Sequence, residues 1–206
     1  YNICPQALET KLVAAEKAGK LPKVLVAVHL CGQPCDMAAI QALGQKYDFK
    51  IIEDASHAIG GKYKGEFIGI SRYSDITVFS FHPVKIITTA EGGMALTNSD
   101  ELAQQMALLR SHGITREPAH MTHEPDGPWY YQQIDLGYNY RMTELQAALG
   151  VSQMQRLDTY VARRFLPYGA TSASPNIFFP TATGDRGNTI VQAHLTQEGV
   201  TPSPDS

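Results

Sequence analysis

Apolar and polar positions alternate along the first part of the chain with two spacings, one typical of strands and one of helices. Residues 23–29 (KVLVAVH) form a β-branched run that predicts a buried strand. Asp36 can cap a helix that runs to about Tyr47, because apolar residues then recur near helical spacing. Residues 49–54 predict a second strand. This strand–helix–strand order predicts a βαβ unit with a parallel sheet covered on both faces.

The strand and helix patterns continue to about residue 164. Residues 75–81 and 94–97 predict two more strands, and residues 98–100 offer caps for a helix to about Arg110. Glycines between residues 60 and 69 predict a loop or hairpin. Residues 113–131 combine prolines with aromatic residues, as functional loops do. Thr143 opens a helix predicted to reach about Arg164. The fold class predicted is α/β, with a mixed, mostly parallel sheet.

The chain changes character after Arg164. Residues 165–206 are rich in Pro, Gly, Ser and Thr, and only residues 189–198 show a weak helical pattern. We therefore expect a globular part over residues 1–164, followed by an irregular or divergent C-terminal segment over residues 165–206.

Composition narrows the function classes. Of the 206 residues, 43% are hydrophobic and 18% are charged, a balance typical of a globular protein. A net charge of −3 excludes a strongly basic surface for nucleic acid. No apolar run approaches the ~18 residues of a membrane span. Three cysteines (Cys4, Cys31 and Cys35) indicate a reducing, cytoplasmic compartment, and they lack the second Cys/His pair that a zinc site needs.

Ionisable residues follow two of the predicted strands, where open α/β sheets bind ligands. Lys85 is flanked by apolar residues, which disfavour the charged form, lower the pKa of the amine and make it a nucleophile able to form a Schiff base. The alternative, that Lys85 leads out to solvent, is favoured by composition alone. Ser80 could donate its hydroxyl to a phosphate. His57 and His82 could contact a cofactor or substrate, although a lone histidine is more often structural.

Asp54 changes the weight of these alternatives. Pyridoxal 5'-phosphate needs a lysine for its aldehyde and an acid that keeps its ring nitrogen protonated. Lys85 and Asp54, on neighbouring strand ends, satisfy both needs. The competing interpretation, that Asp54 caps a following helix, has comparable weight on spacing alone. Neither the glycine spacings of nucleotide-binding loops nor a GxSxG motif occurs.

Three longer blocks carry a family resemblance. They are IIEDASHAIGGKYKG (51–65), SDITVFSFHPVKIITTAEGGMALTN (74–98) and DLGYNYRMTELQAALGVSQMQRLD (135–158). Each resembles the sugar-nucleotide aminotransferases of the DegT/DnrJ/StrS group, in that family's order and spacing. FSFHPVKIITT, RSHGITRE (110–117) and PWYYQQIDLGYNYRM (128–142) look most like the branch that makes the 4-amino sugar intermediate of pseudaminic acid, a UDP-linked altrosamine. The resemblance covers about residues 1–164.

The resemblance implies a fold-type I pyridoxal-phosphate enzyme, a homodimer with shared active sites that moves an amino group from glutamate to a UDP-linked 4-keto sugar. The family's cofactor-bearing lysine falls on Lys85 and its ring-nitrogen carboxylate on Asp54. The residue beside the ring hydroxyl falls on His57 and the phosphate-binding serine on Ser80. Asn139 corresponds to the asparagine that reaches the neighbouring subunit's cofactor.

Two further positions carry substrate roles by the same resemblance. Arg141 lies beside that asparagine and is expected to position substrate, as is His82. No metal is implied. Relatives that replace the lysine with histidine are dehydratases, so Lys85 favours transamination.

The family pattern also includes segments upstream and downstream that residues 1–206 do not match. The upstream segment holds a turn for the cofactor phosphate and an aromatic that stacks on the ring, and the downstream segment is a compact α/β domain. We therefore expect residues 1–164 to be a partial cofactor-binding domain that, alone, binds pyridoxal phosphate weakly or not at all. The alternatives are a non-catalytic remnant of the family and a sugar dehydratase that uses the same cofactor.

Overall fold

The structure, a computed structural model, describes residues 1–163 with their side chains, the backbone to residue 165 and three later strands. Five helices run over α1 Pro5–Lys17, α2 Met37–Tyr47, α3 Asp100–Arg110, α4 Glu144–Met154 and α5 Leu157–Phe165, with short 3-10 turns at Leu30–Gly32 and Pro118–His120. The strands are β1 Val24–Val28, β2 Lys50–Asp54, β3 Lys62–Tyr63, β4 Glu66–Phe67, β5 Ile76–Ser80, β6 Gly93–Leu96, β7 Ile114–Thr115, β8 Gln132–Gln133, β9 Ile177–Thr181, β10 Thr189–Thr196 and β11 Gly199–Pro202.

A four-stranded sheet in the order β1–β2–β5–β6 organises the first hundred residues. The first three strands are parallel, and β6 pairs antiparallel with β5. This confirms the α/β class and the mixed, mostly parallel sheet. Val28 and Val78 both pair with Asp54, so the three parallel strands end at one edge.

One face of the sheet is covered by α1 and α2. Asp36 caps α2 as predicted, since its side chain accepts from the backbone N–H of Ala39. The apolar side of each helix packs on the sheet, which shields both from water. The buried residues are Leu8, Leu12, Ala27, Cys35, Met37, Ile40, Leu43, Tyr47, Phe49 and Ile51.

The other face of β1 departs from the prediction of a doubly covered sheet. Val24, Val26 and Val28 are 48%, 53% and 40% exposed, whereas Ala27 is fully buried. Successive side chains of a strand point to opposite faces. Within the part of the chain with described side chains, the valine face of β1 is therefore only half covered.

A buried polar network joins the parallel strands. The fully buried His29 places Nε2 2.8 Å from the Glu53 carboxylate, and its Nδ1 accepts from the backbone N–H of Cys35. Glu53 also accepts from the hydroxyl of Ser74 and, at 3.5 Å, from that of Thr77. His29 is therefore a structural residue.

Two helix predictions need correction. The helix predicted from Thr143 to about Arg164 is interrupted after Met154, so that α4 and α5 are separate helices. Thr143 and Gln146 form a capping box at the start of α4. Residues 189–198 were predicted as weakly helical, and this was wrong. Thr189–Thr196 is the strand β10, because Ile190 and Val191 are β-branched and the strand pairs with both β9 and β11.

The boundary between residues 1–164 and 165–206 stays a prediction. None of the helices that the structure describes is long and apolar enough to cross a membrane.

Candidate active site

The shared edge of the parallel strands gathers the predicted site residues. Asp54 is the last residue of β2 and Ser80 the last of β5, and both are half-buried. Neighbouring strands lie about 4.8 Å apart. Because the sheet fixes both backbones, this edge presents a carboxylate and a hydroxyl from adjacent strands.

Asp54 does not cap a helix. One of its carboxylate oxygens accepts from the backbone N–H of Ser56 at 3.1 Å, and residues 55–60 form turns. The interpretation of Asp54 as a helix cap is therefore wrong. The short turn leaves acceptor capacity on the carboxylate, since an ionised carboxylate can accept several hydrogen bonds.

Lys85 lies on a loop whose two ends are joined by hydrogen bonds. The backbone N–H of Phe81 donates to the carbonyl of Gly92 at 2.8 Å, and the carbonyl of Phe81 accepts from the backbone of Thr89 at 3.0 Å. The Thr88 hydroxyl donates to the same carbonyl at 2.9 Å. Lys85 is half-buried within this closed loop, and it forms no ion pair with any residue whose side chain is described.

His57 follows the end of β2, beside the end of β5 from which the loop of Lys85 begins. Burial of the ring and the positive charge of Lys85 lower the pKa of His57, while the negative charge of Asp54 opposes the shift. Charges act appreciably on a neighbour only over short distances in salt solution. Lys85, Asp54 and His57 therefore occupy one neighbourhood at the strand edge.

The chemistry of this group fits pyridoxal phosphate. The cofactor presents an aldehyde, a ring nitrogen, a ring hydroxyl and a phosphate. The strand edge offers an amine (Lys85), a carboxylate (Asp54), an imidazole (His57) and a hydroxyl (Ser80). Among the described residues, no cluster of three or more His, Cys, Asp or Glu side chains could hold a metal ion.

His82 belongs to the same loop but is exposed. Its Nδ1 accepts from the backbone N–H of Val84 at 3.4 Å, and the backbone N–H of His82 donates to the Ser80 hydroxyl at 3.4 Å. Its Nε2 lies 3.9 Å from a carboxylate oxygen of Glu91. These contacts place His82 at the outer side of the site.

Asn139 and Arg141 lie on an exposed segment beside the lysine loop. The backbone of Asn139 forms a bridge with Ser111, so the segment is fixed to the end of α3. The Met142 methyl lies close to Gly92, since a Cβ added at position 92 would be only 2.8 Å from it. The roles of Asn139 and Arg141 stay predictions, since the structure contains one copy of the chain.

Sequence reasoning missed the turn that follows β1. Cys31 has a φ of 55° and Gly32 a φ of 85°, and the backbone N–H of Cys31 donates to Nδ1 of His57 at 3.3 Å. The sequence signal for this turn was Gly32, which follows the first predicted strand, because a glycine at such a position can mark a close approach of two backbones.

A family model described as the DegT/DnrJ/EryC1/StrS aminotransferase family matches residues 1–168. The UDP-4-amino-4,6-dideoxy-N-acetyl-beta-L-altrosamine transaminase of Campylobacter jejuni (serotype O:23/36, strain 81-176) is 39% identical over 163 residues, 79% of this chain and 40% of that protein. The chain spans about 40% of the length of the curated relatives it matches.

Two solved aminotransferase structures are also similar to this chain. Helicobacter pylori PseC, an aminotransferase involved in the biosynthesis of pseudoaminic acid, superposes with a TM-score of 0.66 at 33% identity, covering 77% of this chain and 38% of that one. A sugar aminotransferase from Streptococcus pneumoniae in its PLP form gives a TM-score of 0.64 at 30% identity, covering 79% of this chain and 42% of that one.

Proposed function

The chain belongs to the DegT/DnrJ/EryC1/StrS aminotransferase family, and on that premise we propose that it acts in the transfer of an amino group from glutamate to the 4-keto carbon of a UDP-linked deoxy sugar. The members of this family depend on pyridoxal 5'-phosphate, and one structural relative was solved in its PLP form. The choice of sugar follows the Campylobacter relative, whose name specifies an altrosamine, and the H. pylori relative of the pseudaminic acid type.

One observation carries the proposal. Asp54 and Ser80 end adjacent parallel strands, and hydrogen bonds of Phe81 close the loop that carries Lys85 directly after the second of these strands. A half-buried lysine with no ion-pair partner among the described side chains therefore shares the strand edge with a carboxylate. That combination suits a cofactor that needs an amine on one side and an acid on the other.

The chain's own residues supply the proton chemistry. Bound pyridoxal phosphate supplies an aldehyde that carries the amino group and a ring that takes up electrons. Lys85 removes a proton from the α-carbon of glutamate and later gives one to C4 of the sugar. With the cofactor bound, Asp54 would hold the proton on the ring nitrogen, and Ser80 would donate to the phosphate. Overall, the C=O of the sugar becomes CH–NH2 while the CH–NH2 of glutamate becomes C=O, so atoms and electrons balance.

We further propose a homodimer in the cytoplasm. Asn139 and Arg141 are exposed on a segment bordering the lysine loop, where a second copy could complete the site. Cys4, Cys31 and Cys35 are all free thiols, which suits a reducing compartment.

Borohydride trapping tests the cofactor site even when binding is weak. The full chain is mixed with pyridoxal phosphate and reduced, and the labelled lysine is located by mass spectrometry of its peptides. We expect label at Lys85 in preference to the exposed Lys46, and its loss in Lys85→Ala but not in Lys46→Ala. Label distributed over surface lysines in proportion to their exposure would contradict the proposal.

A second assay addresses the reaction. The protein is incubated with glutamate and candidate 4-keto UDP-sugars, and the products are weighed. Amino sugar together with 2-oxoglutarate supports transamination. Loss of water without amino transfer would instead indicate the dehydratase alternative.

A further inference from the structure

The turn after β1 has an unusual backbone for its sequence. Cys31 adopts a φ of 55° and Gly32 a φ of 85°, so two consecutive residues lie in the left-handed region. Glycine tolerates this region but a residue with a Cβ does so at a cost, and such strain persists where the surrounding structure enforces it.

This left-handed turn packs directly on the segment that carries His57. A Cβ at position 32 would lie 2.8 Å from the carbonyl oxygen of His57, so only glycine fits there. The same turn directs the backbone N–H of Cys31 at Nδ1 of the His57 ring, at 3.3 Å. Gly32 thus packs against the backbone of His57, and Cys31 is hydrogen-bonded to its side chain.

The direction of that hydrogen bond decides where the ring proton sits. An N–H can donate only to an unprotonated nitrogen, so Nδ1 of His57 carries no proton and a neutral ring must carry its proton on Nε2. Burial and the charge of Lys85 both disfavour the doubly protonated ring and lower the pKa of His57. Among the side chains that the structure describes, no acceptor is bonded to Nε2 of His57.

We infer that the Cys31–Gly32 turn is a positioning element that holds the imidazole of His57 in the tautomer with its proton on Nε2, leaving that N–H free to donate into the cofactor site. The inference rests on the proposed function in one respect, namely that the acceptor is the ring oxygen of pyridoxal phosphate. A ring with its proton on Nδ1 would present a lone pair to that oxygen and repel it. The turn therefore makes the contact between His57 and the ring oxygen attractive, because it fixes the protonated nitrogen before any cofactor binds.

Nitrogen-15 NMR of the full chain without cofactor tests the tautomer directly. Long-range correlations between ring protons and ring nitrogens distinguish a protonated from an unprotonated nitrogen. We expect His57 to show a protonated Nε2 and an unprotonated Nδ1 at neutral pH. A ring with its proton on Nδ1, or an even mixture, overturns the inference whether or not the chain binds pyridoxal phosphate.

Matched glycine variants test the turn itself. Gly32→Ala and Gly65→Ala have nearly the same backbone strain, at φ values of 85° and 86°, but a Cβ at position 65 meets nothing within 4 Å. We expect Gly32→Ala to turn the single tautomer of His57 into a mixture, and Gly65→Ala to leave it unchanged. Cys31→Ala keeps the backbone N–H and should also leave it unchanged. An unaltered tautomer in a folded Gly32→Ala variant overturns the role of the turn.

Side-chain replacement covers the case in which Gly32→Ala does not fold. In His57→Gln, the amide oxygen can accept from Cys31 while the amide nitrogen donates into the site. In His57→Leu neither contact remains. Borohydride trapping at Lys85 should persist in His57→Gln and need about tenfold more cofactor in His57→Leu, the loss expected for one hydrogen bond. Equal trapping in both variants would refute the donor role of His57, whereas absent trapping in the unmodified chain would refute the proposed function alone.

Discussion

The Glu53 carboxylate is the acceptor on which the buried network converges, and its replacement is a sharp test of what holds the sheet together. It lies 2.8 Å from Nε2 of His29 and 2.5 Å from the Ser74 hydroxyl, and 3.5 Å from that of Thr77. Glu53 is 6% exposed, and His29 and Thr77 are fully buried. Glu53→Leu removes both carboxylate oxygens that accept these hydrogen bonds while keeping a side chain of similar size.

The expected loss follows from the donors left behind. A buried donor without an acceptor costs about 1–3 kcal/mol. His29 would lose the partner of its Nε2, whereas Thr77 keeps the Ser71 hydroxyl at 2.9 Å and the half-buried Ser74 keeps the Thr77 hydroxyl at 3.3 Å. The orphaned donor of His29 costs ~1–3 kcal/mol, and the loss of the Ser74 hydrogen bond to a charged carboxylate adds ~1.5–3 kcal/mol. We therefore expect Glu53→Leu to lower the free energy of unfolding by about 3–5 kcal/mol, a large part of the ~5–15 kcal/mol of a typical domain.

Urea unfolding followed by far-UV circular dichroism measures this loss. Glu53→Gln keeps one acceptor oxygen, so its loss should be smaller, at ~1–3 kcal/mol. The control is Glu9→Leu, which breaks an ion pair with Lys46 of similar length, 2.7 Å, on the exposed surface. Exposed pairs contribute little, so the control should unfold as the unmodified chain does. A Glu53→Leu variant no less stable than the control would refute the reasoning.

Three further predictions concern His57 and the start of α4. Lys85→Met removes a positive charge and should raise the pKa of His57, whereas Asp54→Asn should lower it further. NMR titration of the His57 ring protons measures both changes. An unchanged pKa in both variants would show that Lys85 and Asp54 do not lie near His57. Because the folded-state pKa of His57 lies below its ordinary 6.5, this histidine contributes stability above pH 6.5 that is lost as the pH falls through the folded-state value. Thr143→Ala removes the capping box with Gln146 and should cost about 1 kcal/mol in urea unfolding, while Thr143→Ser should restore it.

Local patterns predicted the sheet and the strand-edge residues well. The helix cap at Asp36 and the strand ends at Asp54 and Ser80 all lie where the pattern placed them. These features depend on short-range spacing, because a cap, a helix face or an alternating strand is encoded within a few neighbouring residues.

Features that depend on distant contacts were not predictable in the same way. The half-exposed valines of β1 follow from what packs on the sheet, and local spacing cannot report it. The contact between Cys31 and His57 joins residues 26 positions apart, and it depends on a left-handed backbone that a cysteine seldom adopts. The interruption after Met154 occurs within a pattern that is helical on both sides.

The closed loop at residues 81–92 limits how far the backbone of Lys85 can travel. Both the N–H and the carbonyl of Phe81 are engaged across the loop, by Gly92 and by Thr89. The entropy of confining the loop is therefore lost once, when the chain folds, and not in each encounter with a reactant. The amine then explores space mainly through its own side-chain rotations, so its effective concentration at the strand edge stays high.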